Sequence, residues 1–467
     1  MTSNTIRLRA TYAVLVCGVL TFSTMQPLVV RILAEISDRY DSDQATSTWV
    51  VTAYLLSASI CTPLLGRIGD GIGKRRTLAF AIGALAVGSL ISGLTSSIGG
   101  LIAARVVQGA GGGILPLSFG IARDEFPSTR VPSTVAMLAS MGAIGFAIGV
   151  AVGGPMVDLL GFHSIFFVPA AIGLVIVVAT TLFVPDSPTR LSGRLPILSA
   201  VLLAGWLTAL LLPISQGASW GWTSLRTLGL VALSVLLLCG WIVSELRATA
   251  PIIDMTMMRI RAIWSANVLS IVVGFAMFSS LALVPQLLQA RSESSYGLGT
   301  SVTMSGLALI PAGLATFVTG ILSVPANRGL GPHRVVGGAM LVWAAAMAFM
   351  AWHRDSVLAL SIGMGVMGAG LGLLPATLAA AVVDAAPVAQ TGAAGGMHAN
   401  LRTIGGAAGT AVTAAIVTAH PEPGFSASGS GCSTAFLVLG ALLLAGSPLI
   451  ALLPTRSRTA TTLPTPA

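Results

Sequence analysis

The chain is 467 residues long, 55% hydrophobic and only 8% charged, with a formal net charge of +9. A soluble domain carries about 25% charged residues, so a soluble fold of this length is excluded, because it would lack the polar side chains to cover its surface. The basic residues lie in short loops rather than in one basic domain, which argues against a nucleic-acid partner and fits the topology signals of a membrane protein.

Apolar runs, each long enough to cross about 30 Å of hydrocarbon, recur over 11–34, 47–65, 77–96, 98–121, 133–157, 162–184, 195–214, 225–246, 262–288, 301–324, 334–352, 356–383, 394–419 and 433–453. The chain therefore reads as an all-α polytopic membrane protein with fourteen transmembrane helices. Arg7 and Arg9 precede the first run as in a secretory signal, but no clean A-x-A site follows, so it is expected to stay in place as span 1. Span 1 carries Gln26 and has no acid before Glu35 near its outer end.

Between spans 2 and 3 stands GRIGDGIGKRRT, residues 66–77. It is not a P-loop: Ile68 stands where the first glycine is needed, and Arg75 follows Lys74 where a Mg²⁺-binding hydroxyl belongs. Its glycines suit a tight turn against a neighbouring helix, and Asp70 is placed to accept hydrogen bonds from loop amides or a helix N-terminus. The alternative is a solvated loop that only sets topology. Span 4 contains LIAARVVQGAGGGILP, where Arg105 needs a partner, either a carboxylate or a ring of backbone carbonyls. Glu35 and Asp158 are the candidate carboxylates unless they simply face the interface. In span 5, Gly145, Gly149 and Gly153 repeat every four residues and form one smooth helix face, followed by Gly154.

The segment 320–334, GILSVPANRGLGPHR, looks like a decayed copy of the opening loop without its Asp. The one G-x-G-x-x-G, Gly363 to Gly368, lies inside an apolar run and reads as helix packing. Span 13 contains TGAAGGMHANLRTIGGAAG, with Asn400 and Arg402 ahead of paired glycines. Cys17, Cys61, Cys239 and Cys432 form no C-x-x-C, so neither metal nor disulfide is expected. With the N-terminus placed in the cytoplasm, seventeen Lys and Arg fall on inner segments and five on outer ones, which puts both termini inside.

Together these stretches resemble the major facilitator superfamily. Gly66, Ile68, Asp70, Gly73, Lys74 and Arg75 follow its G-x-L-x-D-R-x-G-R-K/R signature, with Gly71 where the family has Arg. Leu101, Arg105, Gln108, Gly109 and Gly111 follow its span-4 signature. Gly145, Gly149, Gly153 and Gly154 follow the antiporter signature g-x-x-x-G-P-x-x-G-G, with Val150 in place of the proline. Asn400, Arg402, Gly405, Gly406 and Gly409, with PIIDMTMMRIRAIWSAN at 251–267, are similar to the fourteen-span drug:proton antiporters, although span 1 lacks the Asp common there.

The resemblance implies the major facilitator fold: two pseudo-symmetric six-helix bundles, at 1–190 and 251–455, an inserted two-helix hairpin at 191–250, and a cytoplasmic tail at 456–467. It implies a secondary transporter rather than an enzyme, exporting drug-like, amphipathic or cationic small molecules from a bacterial cell through the plasma membrane in exchange for protons. No cofactor is expected, and a monomer should suffice. The loop residues Gly66, Asp70, Gly73, Lys74 and Arg75 become a conformational latch, and Arg105, with Glu35 or Asp158, becomes the proton-coupling group. Gln26, Gln108, Phe278, Asn400 and Arg402 line the substrate cavity or serve as helix–helix glue. Two rivals are a transporter of an endogenous lipid or metabolite on the same scaffold, and a non-transporting sensor or assembly protein, for which no exposed regulatory domain is visible. The orientation has a direct test: in intact cells, an external thiol reagent should label Ser292→Cys and not Ser128→Cys, and the reverse pattern contradicts it.

Overall fold

The computed structural model describes residues 2–187, 196–290, 297–419 and 429–453. Its long helices are α1 (Thr2–Arg31), α2 (Gln44–Ile72), α3 (Lys74–Leu94), α4 (Ile98–Glu125), α5 (Val131–Leu160), α6 (Ser164–Phe183) and α7 (Ile197–Trp220). They continue as α8 (Leu225–Arg247), α9 (Arg261–Gln289), α10 (Met304–Leu330), α11 (Pro332–Trp352), α12 (Val357–Ala385), α13 (Thr391–Thr418) and α14 (Gly429–Gly446). Among the described residues, 13 helices are long and apolar enough to cross a membrane. The 30-residue α5 is the fourteenth long helix and runs where span 5 is expected. Arg190, Arg194, Arg291, the segment 456–467 and the Gln26 side chain lie outside the described residues.

The helices outrun their apolar stretches. α2 has 29 residues, so at 1.5 Å per residue it is about 44 Å long, well beyond ~30 Å of hydrocarbon. The apolar run in this part of the sequence stops at 65, yet the helix carries on through Arg67 and Asp70. Sharp turns then reverse the chain at Gly73 (φ 115°) and Gly331 (φ 81°), backbone conformations that suit glycine alone. These two turns join α2 to α3 and α10 to α11, at equivalent places in the two halves. At the opposite face, Asp43, Ser97, Ser224 and Ser356 cap the starts of α2, α4, α8 and α12 through side-chain oxygens.

Helix pairing repeats between the halves. α1 packs along α5, α2 along α4, and α3 along α6; α9 packs along α13, α10 along α12, and α11 along α14. These are two six-helix bundles of one design. α2 and α4 meet α13 across the seam, and α10 and α12 meet α5. The hairpin α7–α8 joins the second bundle's core through Trp206 and Trp241, and the Glu245 carboxylate accepts from Trp241 Nε1 (3.0 Å) and the Ile252 amide (2.8 Å).

Glycine faces hold each bundle together, as the span-5 repeat predicts. A Cβ at Gly145 would lie 2.7 Å from Ser23 Cβ, and one at Gly149 would lie 2.6 Å from the Thr24 carbonyl oxygen, both on α1. The second bundle repeats this where sequence reading saw only a motif: Gly405 and Gly409 of α13 press on the Ile271 and Phe275 carbonyls of α9. Backbone cannot yield as a side chain can, and overpacking costs about 1–3 kcal/mol. Gly405→Ala should therefore lower the thermal midpoint of the purified protein by several degrees, whereas Gly229→Ala, which meets nothing within 4 Å, should leave it unchanged. Equal midpoints would contradict this account of the α9–α13 seam.

Candidate functional site at the bundle seam

The α2–α3 loop crosses from one bundle to the other. α13 begins without a capping side chain of its own. Asp70, 1% exposed, supplies the cap from the other bundle, accepting from the Gly392 amide (3.3 Å) and the Ala393 amide (3.0 Å). Its negative charge sits at the positive end of the α13 dipole. Gly66 lets the helices approach this closely, since a Cβ there would lie 2.5 Å from the Gly392 carbonyl oxygen. Lys74, fully buried, lies 3.7 Å from Asp70 and 2.8 Å from Asp124 of α4. Gly71 therefore leaves no gap where the resembled signature has Arg, because Lys74 and two amides satisfy Asp70. Arg75 pairs with Asp186 at 3.0 Å, partly exposed, and the Lys74 amide donates to Ser187 Oγ (2.9 Å). Thus Gly66, Asp70, Gly73, Lys74 and Arg75 all stand in one cluster.

Four partners at this face escaped sequence reading. Asp124 is one. Arg123 is the second: its guanidinium donates to the Val383 carbonyl and, at 2.7 Å, to the Ala386 carbonyl at the C-terminus of α12. Arg67 donates to the Pro251 carbonyl (3.0 Å). Arg328 donates to the Thr129 carbonyl just before α5 (3.3 Å). Arg328 precedes Gly331 by the same three residues that separate Asp70 from Gly73. The decayed copy thus also makes a polar contact between the bundles, through a residue of opposite charge at the spacing of Asp70.

Arg105 is fully buried within the first bundle. Its Nε donates to the Val50 carbonyl (3.1 Å), Nη1 donates to Gln108 Oε1 (2.7 Å), and its guanidinium carbon lies 4.1 Å from the centre of the Tyr54 ring. Gln108 in turn donates to Ser89 Oγ (2.7 Å). Even at mid-span an arginine costs only ~2.5–3.5 kcal/mol on the mildest scale, and Arg105 lies nearer the start of α4. Hydrogen bonds to a charged group are worth ~1.5–3 kcal/mol each, and a desolvated cation–π contact adds ~2, which offsets that cost without a carboxylate although Nη2 is buried without a partner. The expected pairing with Glu35 or Asp158 does not form: both are exposed and stay hydrated, while Arg105 turns inward. Gln108 accordingly belongs to this internal network.

The remaining cavity candidates meet on α9 and α13. Phe278 packs against Gly406 and stands edge-on to Phe146 of the first bundle at 5.7 Å, so it lies on the seam. Asn400 is 1% exposed, and neither amide atom has a partner. Arg402 is half-buried and has no hydrogen-bond or ion-pair partner among the described residues. Sequence reading passed over His398, 1% exposed, whose Nδ1 lies 3.2 Å from Asn267 Oδ1 while Nε2 is unpartnered.

The sequence matches the family model described as the Major Facilitator Superfamily over residues 12–323. It is 29% identical over 383 residues to a tetracenomycin C resistance and export protein of Streptomyces glaucescens, covering 80% of this chain and 69% of that one. It is 30% identical over 390 residues to a multidrug resistance protein B homolog of Mycobacterium tuberculosis, covering 81% and 70%. The structure resembles that of the human organic anion transporter MFSD10 with a TM-score of 0.67 at 16% identity, covering 95% of this chain and 99% of that one, a likeness of fold.

Asp70→Asn keeps the shape of this cap and removes its charge. By hydrogen–deuterium exchange, the amides of Gly392 and Ala393 should exchange roughly tenfold faster, the equivalent of ~1.4 kcal/mol, with the helix interiors unchanged. Unaltered exchange at the start of α13 would show that Asp70 does not hold it.

Proposed function

The chain belongs to the Major Facilitator Superfamily, and from that premise we propose that it exports amphipathic, drug-like small molecules through the plasma membrane of a bacterial cell in exchange for protons. The observation that carries this reading is the latch. Polar contacts join two rigid bundles at one face, through Asp70 to the α13 amides, Arg123 to the end of α12 and Arg328 to the Thr129 carbonyl. Such contacts hold one state of a rocking pair of bundles and release when their charges change. The names of the relatives, which speak of export and multidrug resistance, support the direction, as do Gly145 and Gly149 of the antiporter signature packing on α1.

The two moving bodies are residues 1–190 and 251–455, with 191–250 as a hairpin that touches α13 of the second and α2 of the first and 456–467 as a tail; both termini face the cytoplasm and one chain is the working unit. Protons act through the buried cluster Asp70–Lys74–Asp124, since protonating Asp70 removes the charge that holds both Lys74 and the α13 amides. Arg105 positions α2, α3 and α4 relative to one another through Val50, Ser89 and Gln108. The cationic substrates that the resemblance implies find no carboxylate at mid-membrane among the described residues.

Proteoliposomes holding the purified protein and screened over a chemically diverse panel should show substrate-dependent proton movement that a proton ionophore abolishes. Asp70→Asn should cut the rate roughly tenfold, in line with a loss of ~1.4 kcal/mol. Arg105→Lys loses the planar fork and should impair transport nearly as much as Arg105→Ala, whereas Glu35→Gln with Asp158→Asn should leave it intact. Efflux that survives the ionophore contradicts proton exchange, and strong loss in the double variant contradicts the assignment of coupling to the latch.

A further inference from the structure

We infer that the transported compound carries an ionised acidic group, a carboxylate or phenolate, which Arg402 receives. The inference rests on the transporter reading above and adds the chemical class of its substrate. Arg402 lies eleven residues into α13, about 16 Å from its start and 24 Å from its end. It is half-buried, and no side chain or carbonyl of the described residues accepts from its guanidinium. Arg105 has a carbonyl, an amide oxygen and an aromatic face; Arg402 has none of these. Every described Asp and Glu lies near a helix end, in a short helix or in a connecting segment. The described residues therefore offer no counter-charge at that depth, and a cation would meet only repulsion from them there. An anion completes the site, because the planar fork takes two oxygens of one acid group.

The neighbours describe the rest of the ligand. His398 lies one turn before Arg402 on the same face of α13 and Gly406 one turn after, since residues four apart align on a helix. The His398 Nδ1–H donates to Asn267 Oδ1, while the Asn267 amide nitrogen points to Met258 Sδ at 3.5 Å. His398 Nε2 is left buried without a partner. On the Gly406 side stand Phe278 and, across the seam, Phe146. The row thus sets a cation beside an aromatic wall, which fits a flat aromatic acid.

Two dyes with one ring system test this: carboxyfluorescein, an anion at neutral pH, and rhodamine 6G, a cation. Binding to the purified protein is read by fluorescence anisotropy and expulsion is read in proteoliposomes. Carboxyfluorescein should bind, with affinity roughly tenfold weaker in Arg402→Gln and partly kept in Arg402→Lys, whose melting profile guards against misfolding of the Gln variant. Expulsion of rhodamine 6G with no binding of carboxyfluorescein would overturn the anion assignment and leave the export reading standing. Binding of carboxyfluorescein that needs Arg402, with no dye expelled, would sustain the assignment and overturn export. Binding of carboxyfluorescein that is unchanged in Arg402→Gln, or absent altogether, would overturn the assignment.

Discussion

The amides that open an α-helix have no partner within it, and in α13 the partner for two of them comes from the other bundle. The Asp70 carboxylate is buried, bound to the Gly392 and Ala393 amides and close to Lys74, whose own charge is shared with Asp124. Deleting one member of such a buried set outright costs about 3–5 kcal/mol, more than neutralising Asp70 in place, because its partners are left desolvated and unpaired. The surrounding sequence serves this arrangement. Gly66 lets the backbones touch, Gly73 turns the chain so that Lys74 reaches back, and Gly120 leaves room for the Lys74 stem.

Contacts within a bundle and contacts between bundles differ in kind. Within each bundle, glycine faces bring α1 onto α5 and α9 onto α13 at backbone distance, where neither can slide without a clash. At the α2–α3 face the seam is joined by charge-assisted hydrogen bonds, whose strength depends on protonation and hydration. Lipid supplies no hydrophobic drive between helices, so packing fixes the bundles and polar groups set how they sit against each other. Two rigid bodies with a chemically adjustable joint are what alternating access requires.

How much of this could be read from sequence follows from the range of each interaction. Hydropathy is local, and the helices fall where the apolar runs do. The C-terminal end of α2 was hidden because Arg67 and Asp70 break the apolar run while the helix continues. The role of Asp70 was legible from its glycine-flanked turn; its partner on α13, 322 residues away, was not. For Arg105, sequence demanded a compensating group and offered carbonyls or a carboxylate, and the fold chose the Val50 carbonyl with Gln108 and Tyr54. Glu35 and Asp158 were attractive only because they lie near the same end of the bundle in sequence. Arg402 stood out as a charge within a span, but its isolation appears only once the neighbouring side chains are placed.

We propose that charge on Asp70 keeps the two bundles closed at the α2–α3 face. Spin labels at Ser128→Cys and Val388→Cys, on opposite sides of the seam, report that closure by pulsed electron spin resonance. In the otherwise unaltered protein the distance distribution should be dominated by a short component. With Asp70→Asn, a longer component should grow at its expense, as acidification should also produce in the unaltered latch. Identical distributions with Asp and Asn at position 70 would contradict the claim.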